Sequence, residues 1–594
     1  MSEPSGPESK VFDLLNLPLC FAGIAEQSRQ LLIDWLGRID MPGERPAVDP
    51  VDIASSFIDL TTKMMSDPAK LVKAQMSLWH DYLELWQNTT SRLLGQTTPS
   101  LPRGSDPRFR DEIWEENNIF NYVKQSYLLT TRWLEWMVRD VRGVDPRTRE
   151  VVQYYTRQFV SALSPTNFAL TNPEVIRASI ETGGENLLHG LNNLLNDLES
   201  FQHAFWSGDS WRDRYRVAET VGKTPGKVVF RNELMEVIRY SAATNTVWKR
   251  PLLFIPAWIN KYYLFDLRAE NSMVAWAIAN GHTVYIISWV DPDEEIRRRD
   301  FGDYVLDGAL KAIDVVEQTS GESEINTVGY CIGGTLLATT LGYMAKKGDE
   351  RVKSATFMTT LLDFSQPGDL GMFVDEATLS YLGEEQNRSN PADAADIAVL
   401  FNLLREQDLI WSFVVNNYLL GRDSFPFDLL QWNTDATRMP VAMHGYYLRN
   451  FYQKNQLVER DGINIGGEGI DLRRIHAPCY FLAAREDHLA PWKSIYKATQ
   501  LLGGPCRFTL TASGHVTGIV NPPDARRYCH WTNERSPANP DAWLATARQA
   551  EGSWWPDWHT WLTRGAEHVP TRRSRAPRWP SMGDAPGEYV RLRA

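Results

Sequence analysis

Apolar positions recur every three to four residues through the first part of this chain. FAGIAEQSRQLLIDWLGRI (21–39), DPAKLVKAQMSLWHDYLELWQNTTSRLL (67–94), IFNYVKQSYLLTTRWLEWMV (119–138) and TREVVQYYTRQFVSAL (148–163) each predict an amphipathic helix. GQTTPSLPRGSDPR (95–108), rich in Gly, Pro and Ser, reads as a linker or surface loop between them. After Trp211 the pattern shifts to short apolar runs. KVVFRN, LMEVIRYS, PLLFIPA (251–257), TVYIISW (283–289), INTVGY (325–330), SATFMTT (354–360), CYFLAA (479–484) and RFTLTA (507–512) read as strands. Helical stretches such as NSMVAWAIANG and YVLDGALKAIDVVEQ lie between several of them, which predicts a mostly parallel sheet covered on both faces. The stretch from about 361 to 472 interrupts this alternation with an aromatic, helical pattern, and is expected to cap the C-terminal edge of the sheet. The chain is therefore expected to hold a helical N-terminal domain (1–210) and an α/β catalytic domain (211–594).

Composition narrows the function. With 594 residues, 43% of them hydrophobic, the chain can bury a large core, and its net charge of -12 argues against a general nucleic-acid binder. Arg572, Arg573, Arg575 and Arg578 form a local basic cluster that reads as a solvated tail. Five unevenly spaced cysteines (Cys20, Cys331, Cys479, Cys506, Cys529) carry no CxxC pattern, so neither a disulfide framework nor a metal site is expected. MSEPSGPESK lacks a basic region leading into an apolar core, and no apolar run approaches the ~20 residues that span a bilayer. These features predict a cytoplasmic protein without a transmembrane segment.

The chemistry concentrates at GYCIGG (329–334), a glycine-flanked turn between an expected strand and an expected helix. This is the setting of the α/β-hydrolase nucleophile elbow, with cysteine in place of serine. That arrangement calls for an acid and then a histidine later in the chain. CYFLAA ends in Arg485-Glu486-Asp487-His488, and RFTLTA ends in Ser513-Gly514-His515. Cys331, Asp487 and His515 thus follow three strands in the order nucleophile, acid, base. His488, Glu486 and Asp363 are weaker rivals, and the other four cysteines lack the elbow context. His515 is expected to hold Cys331 as a thiolate, and Asp487 to fix the imidazole tautomer or help His515 act as a general base. The backbone N–H of Ile332, with a second from IPAWIN around Trp258 or Ile259, is expected to receive the oxyanion. A thiol exchanges one thioester for another nearly isoenergetically, so the pattern favours acyl transfer over hydrolysis.

Longer motifs carry a resemblance. DPRTREVVQYYTRQFVSALSPTNFALTNPEV, PAWINKYYLFDLRAENSMVAWAIANGHTVYIISW, GYCIGGT, FDLLQWNTDATRMP, REDHLAPW, SGHVTGIVNPP, GSWWPDW and APGEYVRLRA occur in this order. From about residue 105 onward the sequence resembles a polyhydroxyalkanoate synthase. The resemblance implies an enzyme that polymerises (R)-3-hydroxyacyl-CoA into polyester with release of CoA, through an acyl-cysteine, as a homodimer on storage granules. It implies no cofactor, since coenzyme A belongs to substrate and product. GYCIGG and the chain length are similar to class I enzymes, which favour short monomers such as 3-hydroxybutyryl-CoA. Family motifs also contain Asp266 and Trp432, candidates for the substrate pocket. The alternatives are a cysteine-dependent thioesterase or polyester depolymerase on the same fold, and a granule scaffold without catalysis.

Overall fold

The computed structural model describes residues 56, 59–64, 68–94, 106–109, 111–139, 141, 143–195, 217, 219–293, 296–374, 411, 414–422, 428–429, 432, 435, 437, 440–571 and 581–592. The expected helix over 21–39, most of the 95–108 linker and the basic cluster at 572–578 lie outside the described residues. The chain forms two compact units, Met1–Trp211 with Gln407–Pro426, and Arg212–Glu406 with Phe427–Ala594.

The first unit is helical, as its periodicity predicts. Helix α1 (Pro68–Leu93) packs beside α2 (Asn118–Arg139), with Tyr82 Oη 2.7 Å from Thr130 Oγ1 and the Trp133 indole donating to Ala74 O at 3.2 Å. Helix α3 (Pro146–Ala162) begins where Asp145 accepts the Thr148 N–H and proline occupies the first turn, two devices that satisfy or remove orphan donors. Leu60, Val138, Val141, Val144 and Val152 form a small buried cluster around these helix ends. The expected cap is divided. Gln407–Pro426 groups with the first unit, where Leu419 O accepts from Asn186, Asn417 O accepts from Asn193, and Arg422 pairs with Glu174.

The second unit is built on a ten-stranded sheet. Its strands are β1 (Gly226–Arg231), β2 (Met235–Tyr240), β3 (Leu252–Ile255), β4 (Val284–Trp289), β5 (Ile325–Tyr330), β6 (Val352–Met358), β7 (Cys479–Ala484), β8 (Cys506–Thr511), β9 (Cys529–Thr532) and β10 (Arg548–Glu551). Their spatial order is β1-β2-β4-β3-β5-β6-β7-β8-β9-β10. The six strands from β4 to β8 are parallel, with antiparallel pairs at both margins. Strands β3, β4, β5 and β7 are buried at every position, which is why they read as continuous apolar runs rather than alternating ones. The sequence pattern omitted β9 and β10. Strand β10, RQAE, is polar and largely exposed, so no hydrophobic period marks it. At the opposite margin, Met582 N donates to Val228 O and Val228 N to Gly583 O, so a late segment of the chain covers the outer edge of β1.

Candidate active site

Strand β5 delivers Cys331 to the C-terminal edge of the parallel strands. The residue has φ 52 and ψ -126, a conformation costly for a side chain with a Cβ and characteristic of strained functional turns. Its N–H donates to Met358 O at 2.9 Å, and its carbonyl accepts from Gly334 N at 3.0 Å as α4 (Ile332–Lys347) begins. Two flanking glycines make the turn possible. A Cβ on Gly329 would collide with the Cα of Gly334, and one on Gly333 would overlap the carbonyl oxygens of Ile255 and Pro256. Close packing at Gly333 sets the start of α4 against the segment leading out of β3, which continues into buried Trp258 and Ile259. Ile332 is the first residue of α4, where an N–H has no carbonyl within the helix to bond.

Parallel neighbours β7 and β8 place the other two groups. Their register sets Ala484 opposite Thr511, and Arg485 N donates to Thr511 O and Glu486 N to Ser513 O, so the two following loops run side by side. Asp487 and His515 are both buried, with Oδ2 of Asp487 2.7 Å from Nδ1 of His515. The other carboxylate oxygen, Oδ1, accepts the N–H groups of Leu489 and Ala490, each at 2.9 Å. Nothing in that geometry leaves the carboxylate free to swing. Among the described residues Nε2 of His515 is buried without a well-directed hydrogen bond, but the Cys331 sulfur stands near enough to the ring to act on its proton. Burial works against the charged imidazole, whereas Asp487 and Cys331 favour it through charge and hydrogen bonding, and the net effect raises its pKa to about 9.

Residues without a sequence signal complete the surroundings. Tyr447, from α5 (Val441–Tyr447), is fully buried. Its hydroxyl lies 3.4 Å from Thr335 Oγ1, and burial together with Tyr452 and Cys331 raises its pKa well above the usual tyrosine range. Its ring packs within 6 Å of Trp258, Phe364, Phe451 and Tyr452, forming an aromatic wall beside Cys331. No spacing marks Tyr447 in advance, because it reaches the site only when the inserted stretch folds back. The loop carrying His515 is held from behind by α6 (Trp555–Leu562) and its preceding residue. Trp554 and Trp555 donate their indole N–H groups to Gly518 O and Ile519 O, each at 3.0 Å, and Trp558 donates to Thr356 Oγ1. The aromatic cluster of GSWWPDW thus packs core and positions the histidine loop together.

The remaining candidates fall elsewhere. Asp266 is buried and accepts from Thr224 Oγ1 at 2.5 Å and Ser272 Oγ at 2.8 Å, and burial raises its pKa despite those donors. Trp432 donates to Lys261 O at 2.7 Å, so it braces the segment that follows Ile259. Among the rivals, Asp363 accepts from Ser365 N and Asn455 Nδ2. His488 accepts from Asp369 N through its carbonyl. Cys479 lies buried opposite Cys506 on β8, and Cys20 is outside the described residues. Among the described residues, no group of three His, Cys, Asp or Glu is placed to hold a metal ion.

Residues 105–277 match the family described as "Poly-beta-hydroxybutyrate polymerase (PhaC) N-terminus", and residues 250–522 match the "alpha/beta hydrolase fold" family. The chain is 40% identical over 590 residues to "Poly(3-hydroxyalkanoate) polymerase subunit PhaC" of Rhizobium meliloti (strain 1021), covering 98% of this chain and 96% of that one. It is 43% identical to "Poly(3-hydroxyalkanoate) polymerase" of Methylorubrum extorquens, over 89% of this chain and 88% of the relative. The polymerase subunit PhaC of Cupriavidus necator is 38% identical, over 89% of both chains.

Proposed function

The chain belongs to the PhaC family of poly(3-hydroxyalkanoate) polymerases and is an acyltransferase of that family, and from this premise we propose how its residues carry the reaction. Cys331 is the nucleophile, His515 the base and Asp487 the group that orients it. The observation that carries this reading is the buried pair of Asp487 and His515 at 2.7 Å, with the Cys331 sulfur favouring the protonated ring.

His515 takes the thiol proton, and the Cys331 thiolate attacks the carbonyl carbon of an (R)-3-hydroxyacyl-CoA. The carbon–sulfur bond to CoA breaks, and the departing sulfur receives the proton from His515. The acyl group rests on Cys331 as a thioester, close in energy to the one it left. The 3-hydroxyl of an acyl unit then gives its proton to His515 and attacks the other thioester, forming one ester bond and freeing one thiol. Asp487 keeps Nδ1 protonated during both transfers, or assists removal of the 3-hydroxyl proton. The N–H groups of Ile332 and Ile259 receive the oxyanion of each tetrahedral intermediate. The indole N–H of Trp258, buried without a hydrogen-bond partner among the described residues, is a further donor that a bound acyl group would satisfy. Aromatic rings around Tyr447 keep water from the thioester, which favours polymer over free acid.

The finer assignment is to class I enzymes with short monomers, working as a homodimer in the cytoplasm at the surface of polyester granules. No helix of the described residues is long and apolar enough to cross a membrane, consistent with attachment from outside the polymer. Asp266 and Trp432 support the pocket through the segment after β3. Incubation with CoA monomers of four to eight carbons tests the proposal. Turbid polymer with stoichiometric CoA release, greatest for the four-carbon monomer, is expected. Free hydroxy acid without polymer would instead identify a hydrolase.

A further inference from the structure

Two unfavourable features meet in one residue at the catalytic edge of the sheet. Thr359, the first residue after β6, has φ 45, in the left-handed region that a β-branched side chain rarely enters. It is 1% exposed, and among the described residues its Oγ1 is buried without a hydrogen-bond partner. Buried hydroxyls in folded proteins find partners, and a left-handed threonine persists only where its surroundings hold it.

The surroundings here are tightly tied. Thr359 N donates to Leu482 O at 2.7 Å, and the carbonyl just before it, Met358 O, accepts from Cys331 N at 2.9 Å. Thr360 Oγ1 donates to the same carbonyl at 3.0 Å, and its side chain fills the space that a Cβ on Gly334 would need. Thr335 Oγ1, from α4, donates to Leu361 O at 2.9 Å. Every link in this segment is made except the Thr359 hydroxyl. Two other non-glycine residues with left-handed φ stand at this edge, Cys331 (φ 52) and Ser513 (φ 78), the latter two positions before His515. Strain at the edge thus collects where the chemistry is done.

Register fixes the position of Thr359. Tyr330 lies opposite Met358, and Met358 opposite Leu482, so Cys331, Thr359 and Ala483 are level on neighbouring strands. The spatial order β3-β5-β6-β7-β8 sets the segment after β3, with its oxyanion donors, on one side of Cys331. Thr359 is on the other side, between Cys331 and the strands that carry Asp487 and His515. An acyl group whose carbonyl oxygen is held on the β3 side leaves its second polar group, the 3-hydroxyl, to be met from the β6 side.

We infer that Thr359 is a specificity-determining residue whose hydroxyl bonds the 3-hydroxyl of the acyl unit on Cys331. The inference rests on the acyl-cysteine chemistry proposed above. Thr359 donates to the oxygen of the 3-hydroxyl, which leaves that group's own proton for His515. With an unsubstituted acyl chain the Thr359 hydroxyl stays buried and unpaired, and that penalty separates the two substrates.

First-turnover CoA release from 3-hydroxybutyryl-CoA and from butyryl-CoA, measured on the full chain, tests the inference. Thr359→Val keeps the side-chain shape without the hydroxyl, and Thr359→Ala removes the branch as well. In both, the rate with 3-hydroxybutyryl-CoA relative to butyryl-CoA is expected to fall about tenfold or more, the loss lying in the hydroxylated substrate. Thr359→Ser should keep the parent ratio. The denaturant midpoint of Thr359→Val should be unchanged or higher, because a hydroxyl idle in the free protein contributes nothing to its stability. Both rates falling together, or an unchanged ratio, would overturn the inference. A lowered midpoint would also overturn it, by revealing a partner in the free protein. An acyl group on Cys331 in the variants shows that the catalytic assignment holds whichever way the ratio moves. Its absence in the parent chain with both thioesters would overturn that assignment, and this inference with it.

Discussion

The two compact units handle apolar residues in opposite ways. In the second, the aromatic and aliphatic side chains of the central strands are buried, and the tryptophans of α6 close over the sheet. In the first, tryptophans and leucines stand in solvent. Every exposed large hydrophobic among the described residues belongs to this unit except Met582 and Leu592. The difference separates two physical tasks. Thioester chemistry needs a dry, fixed interior in which a proton can be held against its solution preference. Association needs apolar surface left uncovered until a partner arrives.

The largest effect that would sharpen this division is Cys331→Ala. CoA release from 3-hydroxybutyryl-CoA should fall by about 10³-fold or more, while the sedimentation profile is unchanged. Retained release, or an acyl adduct on Cys479 or Cys506, would move the nucleophile elsewhere. Next is Asp487→Asn, which keeps the loop fold but offers His515 the wrong hydrogen-bond partner. A loss of about 10²–10⁴ in kcat is expected in stopped-flow measurement of CoA release. A change confined to KM would make Asp487 a binding residue.

Acidity probes the same interior without mutation. His515 titrates at about 9 instead of 6.5, so the ring is charged at neutral pH. Its raised proton affinity stabilises the fold fully below pH about 6.5, and that contribution disappears as the pH climbs through about 9. The rate of CoA release should fall roughly tenfold per pH unit above that point. A profile with no alkaline break up to pH 10.5 would show that the charged ring is not required. The smallest effect is Trp554→Phe, which removes the hydrogen bond to Gly518 O. Denaturant titration should show a loss of about 0.5–1.5 kcal/mol, with a modest drop in kcat and no change in association. An unaltered kcat would make the tryptophan structural only.

Much of the catalytic unit was legible because its signals are local. A fully buried parallel strand is a short apolar run, and each of the eight expected strands is present. Cys331, Asp487 and His515 were legible because each sits just past such a strand, where topology alone brings the groups together. Tyr447 and the loop-bracing tryptophans were not, since their positions depend on how distant segments fold back. Strand β10 escaped because its residues face solvent and carry no period. The division of the expected cap had a similar cause. Helical periodicity shows that a stretch will bury one face, and the identity of the covering unit lies in contacts such as Asn186 with Leu419 O.

The edge of β1 has one further consequence, for synthesis. Cys331 and its elbow leave the ribosome long before the tryptophans that brace His515, and longer before Met582 and Gly583 bond the outer edge of the sheet. Buried Glu236 waits equally late for the N–H groups of Glu588 and Tyr589. A nascent chain therefore carries Cys331 before the bracing of the His515 loop is in place, and a sheet with an open margin. The sheet of this unit is therefore complete only once the segment that seals its margin has been made.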